Sequence, residues 1–280
     1  MHSFPRLSRI IAVAGVAALA VTLAACAPAA ETVDEAASGY VTDGKLTIAT
    51  GEPAFFPWVI DDAPESGEGF ESAIAYAVAE ELGFAAEDVV WVRTTFDEAI
   101  APGPKAFDFN LQQFSITEER RAAVDFSSPY YETTQAVITT EASAAAGATS
   151  IADLKDLLIG AATGTTSFDA IESQIAPTAG AQAFNSNDDA KLALESGQVD
   201  AIVVDLPTAF FLTAVELTGG LIIGQLAAST GGDAFGLVLA KDSPITAAVT
   251  AAVDALRASG RLQEIADEWL ADATNAPVLQ

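Results

Sequence analysis

Two successive sets of alternating strand-like and helix-like segments constrain the fold of this 280-residue chain most strongly. Alternation of short β-prone runs with segments of helical periodicity is typical of α/β units, and the length allows two such units. The first set comprises predicted strands 46–50, 89–93 and 107–114 with a helix at 70–82 and a short helix that a capping box of Thr95 and Glu98 opens. The second comprises strands 158–162, 181–184 and 199–205 with helices at 151–157 and 188–196 and after Thr166 and Pro207.

Two β-prone segments occur where the chain would pass between the two units. One, 130–140, lies between the sets, and the other, 235–240, follows the second set. Beyond it, 244–270 predicts two helices separated by Gly260, and we expect this tail to return to the first unit. The predicted bounds are 45–134 plus 236–280 for lobe 1 and 135–235 for lobe 2.

The first 26 residues have the layout of an export signal. Arg6 and Arg9 precede an uncharged apolar run, 10–25, that is shorter than the roughly 20 residues needed to span a bilayer. The tetrapeptide 23–26, Leu-Ala-Ala-Cys, resembles the bacterial lipobox, in which the cysteine becomes diacylated. The alternative is an ordinary secretory signal that leaves a free thiol at Cys26.

We therefore expect 1–25 to be a lipoprotein signal peptide and Cys26 to anchor the protein to the outer face of the cell membrane. Residues 26–44 are rich in small and polar residues without sustained periodicity, which predicts a flexible tether. The folded body is expected to start near Lys45.

Composition excludes several classes of function. The chain has 12 Lys and Arg against 39 Asp and Glu, a net charge of −27, which opposes binding to nucleic acid. Its only histidine, cysteine and methionine are His2, Cys26 and Met1. The rest of the chain therefore lacks the residues for Ser-His-Asp or Cys-His catalysis and for ordinary zinc or haem ligation, and we predict no metal and no cofactor.

The most informative stretch is Ser-Ile-Thr-Glu-Glu-Arg at 115–120, after the third predicted strand. Ser115 and Glu118 have capping-box spacing, which predicts a helix starting at the carboxyl end of a strand, where α/β folds bind ligands. Backbone N–H groups, the helix dipole and Arg120 together would suit a carboxylate. The alternative is a capped helix with two solvated arginines.

This stretch, with Val-Asp-Phe-Ser-Ser-Pro-Tyr-Tyr at 124–131, resembles the signature of the extracellular solute-binding proteins that serve polar amino-acid ABC importers. The likeness covers nearly all of 45–270. It extends through Gly-Phe-Glu at 69–71, Ile-Gly at 159–160, Gly-Thr-Thr at 164–166, Gly-Gln-Val-Asp-Ala at 197–201 and Phe-Gly-Leu at 235–237.

The resemblance implies a two-lobe Venus-flytrap fold, the type II periplasmic-binding-protein fold, with two crossing hinge strands. It implies that Arg120 binds the α-carboxylate of a bound amino acid and that Ser115 and Thr166 assist it. It also implies that Thr165 lies in the same site. Asp205, which ends a strand before a helix, takes the α-ammonium. Asp205 is also expected to cap that helix. Opposite charges from the two lobes would offset the desolvation of a zwitterion.

Aromatic residues complete the site that the resemblance implies. Phe55 or Trp58, after the first strand, and Phe96 are placed over the faces of the ligand, with core packing as the alternative. Gln113 stands where the family has small residues, and we expect it to reshape the cavity.

Glu52 is the residue on which we base the expected specificity. It follows the first strand, where an acid faces the ligand side chain in relatives that bind basic amino acids. A carboxylate there would select a cationic or polar side chain and disfavour glutamate and aspartate. The alternative is a solvated loop glutamate.

The sequence thus predicts a non-enzymatic, lipid-anchored, monomeric binding protein that delivers a free amino acid to ABC permease subunits. Two alternatives remain. One is a ligand-sensing module for a membrane partner, and the other is an enzyme similar to cyclohexadienyl dehydratases, which have the same fold.

Overall fold

The computed structural model describes residues 39–228, 233–270 and 276–280, so the predictions for the signal sequence and for Cys26 lie outside the described residues. Two five-stranded sheets form the centres of two lobes. Lobe 1 contains, in sheet order, β2 (Val89–Arg93), β1 (Leu46–Thr50), β3 (Phe109–Asn110), β12 (Val238–Ala240) and β4 (Val124–Phe126). Lobe 2 contains β10 (Gly220–Gln225), β6 (Gln135–Thr140), β9 (Ala201–Asp205), β7 (Ile159–Ala162) and β8 (Gln182–Phe184).

Helices cover both sheets, which confirms the predicted α/β class. In chain order they are α1 (Phe70–Glu81), α2 (Phe96–Ile100), α3 (Glu118–Ala123), α4 (Thr166–Ala170), α5 (Asn187–Glu195), α6 (Leu206–Phe211), α7 (Thr246–Ser259) and α8 (Arg261–Trp269). The helix predicted at 151–157 is a single 3-10 turn, Ala152–Leu154. Within the described ranges, no helix is long and apolar enough to cross a membrane.

The third strand of lobe 1 is shorter than predicted. We expected it to run from 107 to 114, but β3 contains only Phe109–Asn110. After the strand ends, Gln113 adopts the left-handed conformation with φ 52°, and Ser115 forms an isolated bridge with Phe235. This bend directs the segment that follows towards the space between the lobes.

The two lobes are joined by a pair of antiparallel strands. β5 (Tyr131–Thr133) pairs with β11 (Asp233–Phe235), with Tyr131 opposite Phe235. Tyr130 and Phe235 are buried in the lobe 1 core. The connection agrees with the predicted two-lobe architecture with two crossing hinge strands.

The core of lobe 1 forms where α1, α7 and α8 cover one face of its sheet. The buried side chains of Ile48, Ile74, Val253 and Ile265 belong to one apolar cluster there. Gly260 has φ 86°, a left-handed conformation that ends α7 and lets α8 fold back. The tail thus packs on lobe 1 through residue 270.

The final described residues differ from the expected assignment to lobe 1. Val278 forms a parallel bridge with Gln225, and the backbone oxygen of Gln280 accepts a hydrogen bond from Ile151 N at 3.1 Å. Leu279 is buried in the lobe 2 core. Residues 276–280 therefore belong to lobe 2, because an apolar side chain and several backbone bonds attach them there.

The end of the predicted tether also differs from expectation. Tyr40 packs edge-on against Phe84 with ring centroids 4.9 Å apart, and Val41 N donates to Asp108 Oδ1 at 2.7 Å. Residues 39–44 are consequently part of the lobe 1 surface rather than a free chain.

Candidate ligand-binding site

A cavity of about 210 Å³ lies between the lobes. We call it the interlobe cavity. It is smaller than the about 300–1,000 Å³ usual for drug-sized ligands, so its size suits a small metabolite. Lobe 1 contributes Glu52, Pro53, Phe55, Thr95, Phe96, Asp97, Gln112, Gln113, Ser115 and Arg120, and lobe 2 contributes Ala162, Thr163, Thr165, Thr166, Ser167, Asn185, Ser186, Asn187 and Asp205.

Of the predicted site residues, only Trp58 is absent from this lining. Trp58 is fully buried and packs edge-on against Phe70 and Phe235, with centroids 5.8 Å away in each case. Its indole N–H donates to Thr208 Oγ1 of lobe 2 at 3.0 Å. The placement of Trp58 over a ligand is therefore wrong, and of the two alternatives Phe55 is the one at the cavity.

Arg120 is held at the boundary between the lobes. Its Nη1 donates to the Ser115 carbonyl at 2.7 Å, and its Nη2 donates to the Gly164 carbonyl of lobe 2 at 2.9 Å. The guanidinium carbon lies 5.2 Å from the centroid of the Phe96 ring, a cation–π distance. These two bonds use two of the five guanidinium N–H donors, and the other three make no hydrogen bond with the described residues.

The pKa of Arg120 is lowered, because the effect of burial outweighs that of the nearby carboxylates. Burial lowers its pKa, while the carboxylates of Asp169, Asp233, Asp205 and Glu119 oppose that shift. Because arginine stays protonated in proteins, the cavity contains a permanent positive charge.

The helix that carries Arg120 starts later than the capping-box spacing predicts. Thr117, not Ser115, is the N-cap of α3, and its side chain accepts a hydrogen bond from Arg120 N at 3.1 Å. The Ser115 hydroxyl instead lies 3.1 Å from Thr166 Oγ1 across the cleft. Ser115 bridges Phe235 and Ile116 N donates to the Ala234 carbonyl at 2.8 Å, so the chain stays paired with the hinge strand through residue 116 and the helix starts after Thr117.

Asp205 lies at the carboxyl end of β9, on the other side of the cavity. It precedes α6 but makes no side-chain cap bond, contrary to expectation. Instead Gln135 Nε2 donates to Asp205 Oδ1 at 2.7 Å and to Asp233 Oδ2 at 2.6 Å. Desolvation, and then the nearby charge of Asp233, raises the pKa of Asp205 to about 8.

The two predicted hydroxyl residues of lobe 2 have different environments. Thr165 caps α4: its Oγ1 accepts from Phe168 N at 3.2 Å and donates to the Ala162 carbonyl at 2.7 Å. Thr166 contacts Ser115, and Gln135 Nε2 lies 3.5 Å from its hydroxyl. Thr165 is therefore largely occupied by its own helix, whereas Thr166 faces the opposite lobe.

Gln113 does reach the cavity, but its side chain is tied to the lobe 1 interior. Its backbone N–H donates to Glu71 Oε1 at 2.8 Å, and its amide donates to Glu71 Oε2. Tyr130 donates to the same carboxylate. Desolvation raises the pKa of Glu71 to about 7, against the lowering effect of these hydrogen bonds. Glu71 thus connects the cavity wall to the hinge.

Sequence reasoning missed three residues that matter for this geometry: Glu71, Gln112 and Gln135. Glu71 belonged to a recognised motif, but its contacts with Gln113 and Tyr130 are long-range. Gln135 had no sequence signal. Glu52 lines the cavity, is exposed, and makes no hydrogen bond or ion pair with the described residues. Those residues contain no group of three or more His, Cys, Asp or Glu that could hold a metal.

Residues 46–272 match the model of the bacterial extracellular solute-binding proteins, family 3. Because this match covers most of the chain, the protein belongs to that family. It is 30% identical over 226 residues to the L-arginine-binding protein of Pseudomonas aeruginosa, covering 78% of this chain and 85% of the relative.

Solved structures agree with the family assignment. An ancestral arginine-binding protein bound to glutamine has a TM-score of 0.69 and 29% identity, covering 82% of this chain and 99% of the other. The same kind of protein bound to arginine has a TM-score of 0.66 and 28% identity, covering 81% and 98%. The fold is therefore the type II periplasmic-binding-protein fold.

Proposed function

We propose that the protein binds a cationic or polar amino acid, with arginine as the favoured ligand, and delivers it to the permease of an ABC importer without catalysis. One observation carries the proposal: the interlobe cavity contains the buried cation Arg120 from lobe 1 and the carboxyl group of Asp205 from lobe 2. Arg120 binds the α-carboxylate and Asp205 the α-ammonium. Ser115 and Thr166 lie at the same boundary and supply hydroxyl groups.

The remaining charges of the lining favour a cationic side chain. Asp205 and Arg120 match the zwitterionic part of an amino acid, which leaves the carboxylates of Glu52 and Asp97 without a cation in the lining. Two additional acids repel glutamate and aspartate and attract a guanidinium or ammonium group. The names of the similar arginine-binding proteins support the same choice.

Calorimetric titration of the purified protein with the twenty amino acids tests this proposal. We expect arginine to bind most tightly and glutamate to bind weakly or not at all. Glu52→Gln should weaken arginine binding by about tenfold, and Glu87→Gln, an exposed residue outside the cavity, should not change it. Tight glutamate binding, or an arginine affinity unaffected by Glu52→Gln, would contradict the proposed specificity.

Two experimental results would replace the proposed transport function with catalysis or with ligand sensing. Turnover of prephenate by the wild-type protein would establish a dehydratase, whereas we expect none. Co-purification with permease subunits supports delivery, and co-purification with a kinase in place of a permease would establish a sensor. The proposed form that meets the permease is a monomer.

Membrane attachment through Cys26 is a separate part of the proposal. Diacylation contributes about 0.8 kcal/mol per buried CH₂, and two chains give stable anchoring where one does not. Cys26→Ala should move the protein from the membrane fraction to the soluble extracytoplasmic fraction. A variant that still sediments with membranes after a salt wash would exclude lipid anchoring.

A further inference from the structure

The side chain of Gln135 lies between two cavities. In the pairing of β6 with β9, Gln135 stands directly opposite Asp205, and it is 5% exposed. Asp205 lines the interlobe cavity, whereas Gln135 and Asp233 line a second cavity of about 140 Å³ beside the hinge strands, which we call the hinge cavity. Gln135 therefore belongs to the wall between the carboxyl group of Asp205 and the hinge cavity.

Both polar atoms of the Gln135 amide have hydrogen-bond partners, which fix its orientation. Its Oε1 accepts from Ser167 Oγ at 2.5 Å. The two N–H donors of its Nε2 are directed at Asp205 Oδ1, at 2.7 Å, and Asp233 Oδ2, at 2.6 Å. A flipped amide would place its oxygen against two carboxyl groups, so only one orientation satisfies all three neighbours.

This arrangement uses one oxygen of Asp205 and leaves the other for a ligand. The second oxygen, Oδ2, makes no hydrogen bond with any described residue and is not enclosed in the protein interior. Because Asp205 lines the interlobe cavity, Oδ2 is the oxygen that an ammonium group in that cavity can reach. Gln135 thus determines which oxygen of Asp205 is available.

We infer that Gln135 is a positioning residue for the ammonium end of the site: it holds Oδ1 of Asp205 so that Oδ2 meets the α-ammonium of the bound amino acid. On the opposite side of the amide, it keeps the carboxyl group of Asp233 next to the hinge cavity. The inference rests on the proposed function and deepens it. Gln135 is not part of the interlobe lining, so it acts through Asp205 and not by contact with the ligand.

Gln135 also affects how easily Asp205 ionises. Desolvation and the charge of Asp233 raise the pKa of Asp205, and the hydrogen bond from Gln135 lowers it. Without this bond, Asp205 would hold its proton more tightly and would bind an ammonium group less well at neutral pH. The charged or titratable groups that face Asp205 are Asp233 on β11, Glu71 on α1, Arg120 on α3, and Tyr130 and Tyr131 at β5.

Gln135→Met tests this role, because methionine has a similar length and no N–H donor. Calorimetry from pH 6 to pH 9 uses L-arginine, or whichever amino acid the wild type binds most tightly, since all have an α-amino group. We expect the variant to bind about 10- to 100-fold more weakly at pH 7, the usual range for a hydrogen bond to a charged group. The loss should shrink towards pH 9. The ratio of the two affinities at each pH cancels the titration of the ligand's own amino group.

A second background tests whether Gln135 acts through Asp205. When Asp205→Asn is already present, Gln135→Met should weaken binding by at most about threefold and without pH dependence, because the carboxyl group is gone. Gln135→Asn, which shortens the side chain by one methylene, should show the same pH dependence as Gln135→Met and serves if circular dichroism shows that the latter is unfolded. The control is Gln198→Met, an exposed site outside both cavities, which should alter no affinity.

The results that overturn the inference differ from those that overturn the proposed function. A purely structural role would lower the affinity by the same factor at every pH, and by the same factor in the Asp205→Asn background. Either result, or an unchanged affinity in Gln135→Met, would overturn the role of Gln135 while the wild type still binds an amino acid. Failure of the wild type to bind any amino acid would instead overturn the proposed function and, with it, this inference.

Discussion

The two ends of the proposed amino-acid site differ in how firmly their charge is fixed. At one end, Arg120 is 8% exposed and is oriented by two backbone carbonyls, and its charge is permanent. At the other end, Asp205 shares the amide of Gln135 with Asp233, and its pKa is raised to about 8. The cation is thus ready before a ligand arrives, whereas the anion depends on the ligand to stabilise it.

This difference gives the two lobes separate tasks. In the proposed site, lobe 1 provides a preorganised cation for the ligand carboxylate, because carbonyl groups orient the guanidinium without neutralising it. Lobe 2 provides a carboxyl group whose ionisation is favoured only when an ammonium group offsets its burial and the charge of Asp233. Binding at the second end is therefore linked to proton release.

Removal of Arg120 should have the largest effect. Arg120→Ala deletes the permanent charge and leaves the ligand carboxylate unpaired, a loss of about 2–5 kcal/mol, or roughly 30-fold to several thousand-fold in affinity. The matched control is Arg121→Ala, because the Arg121 side chain is 47% exposed and reaches only Glu118, at 3.8 Å. Equal losses of affinity for the two variants, measured by calorimetry, would show that Arg120 does not bind the ligand carboxylate.

Asp205→Asn should have a smaller effect at pH 7 than Arg120→Ala. Because the pKa of Asp205 is about 8, most wild-type molecules carry a protonated Asp205 at pH 7. Removing this proton on binding subtracts about 1.4 kcal/mol from the free energy that the charge interaction contributes. We expect a loss of about 30-fold at pH 7 and a larger loss at pH 9. If Asp205→Asn weakens binding more than Arg120→Ala at pH 7, the proposed contrast between the two ends is wrong.

The affinity of the wild type should rise about tenfold between pH 6 and pH 7 and level off near pH 8. The sign follows from Asp205: the unliganded group binds a proton below about pH 8, and the ammonium-bound group does not. Calorimetry in buffers of different ionisation enthalpy should detect the released proton. Asp205→Asn should abolish this dependence, and Asp233→Asn should move it to lower pH, because Asp233 raises the pKa of Asp205.

Glu71→Gln should have the smallest effect on affinity, below about threefold, because the charge of Glu71 is only a minor cause of the raised Asp205 pKa. Its clearer effect concerns stability. The pKa of Glu71 rises from 4.5 to about 7 on folding, so its contribution to the free energy of unfolding falls as pH rises from 4.5 to 7. Urea titrations across that range should show a flatter pH dependence for Glu71→Gln. An unchanged slope would show that Glu71 is not the titrating group.

The sequence was sufficient for features determined locally. The capping box of Thr95 and Glu98 forms as predicted, because both partners lie within one helical turn. Sequence spacing could not distinguish Ser115 from Thr117 as the α3 cap, since the decision depends on the distant partner Phe235. Likewise, the sequence alone allows either Phe55 or Trp58 to line the cavity or to pack in the apolar core. Only the tertiary contacts of Trp58 with Phe70 and Phe235 assign it to the core.

The attachment of the last residues to lobe 2 has a practical consequence for following lobe movement. Val41 is 50% exposed on lobe 1 and Val278 is 53% exposed on lobe 2. Cysteines introduced at these positions in a Cys26→Ala background would carry a fluorescent donor and acceptor on opposite lobes. Energy transfer between two dyes near the ends of the sequence would then report the opening and closing of the cleft, with neither label placed in the binding site.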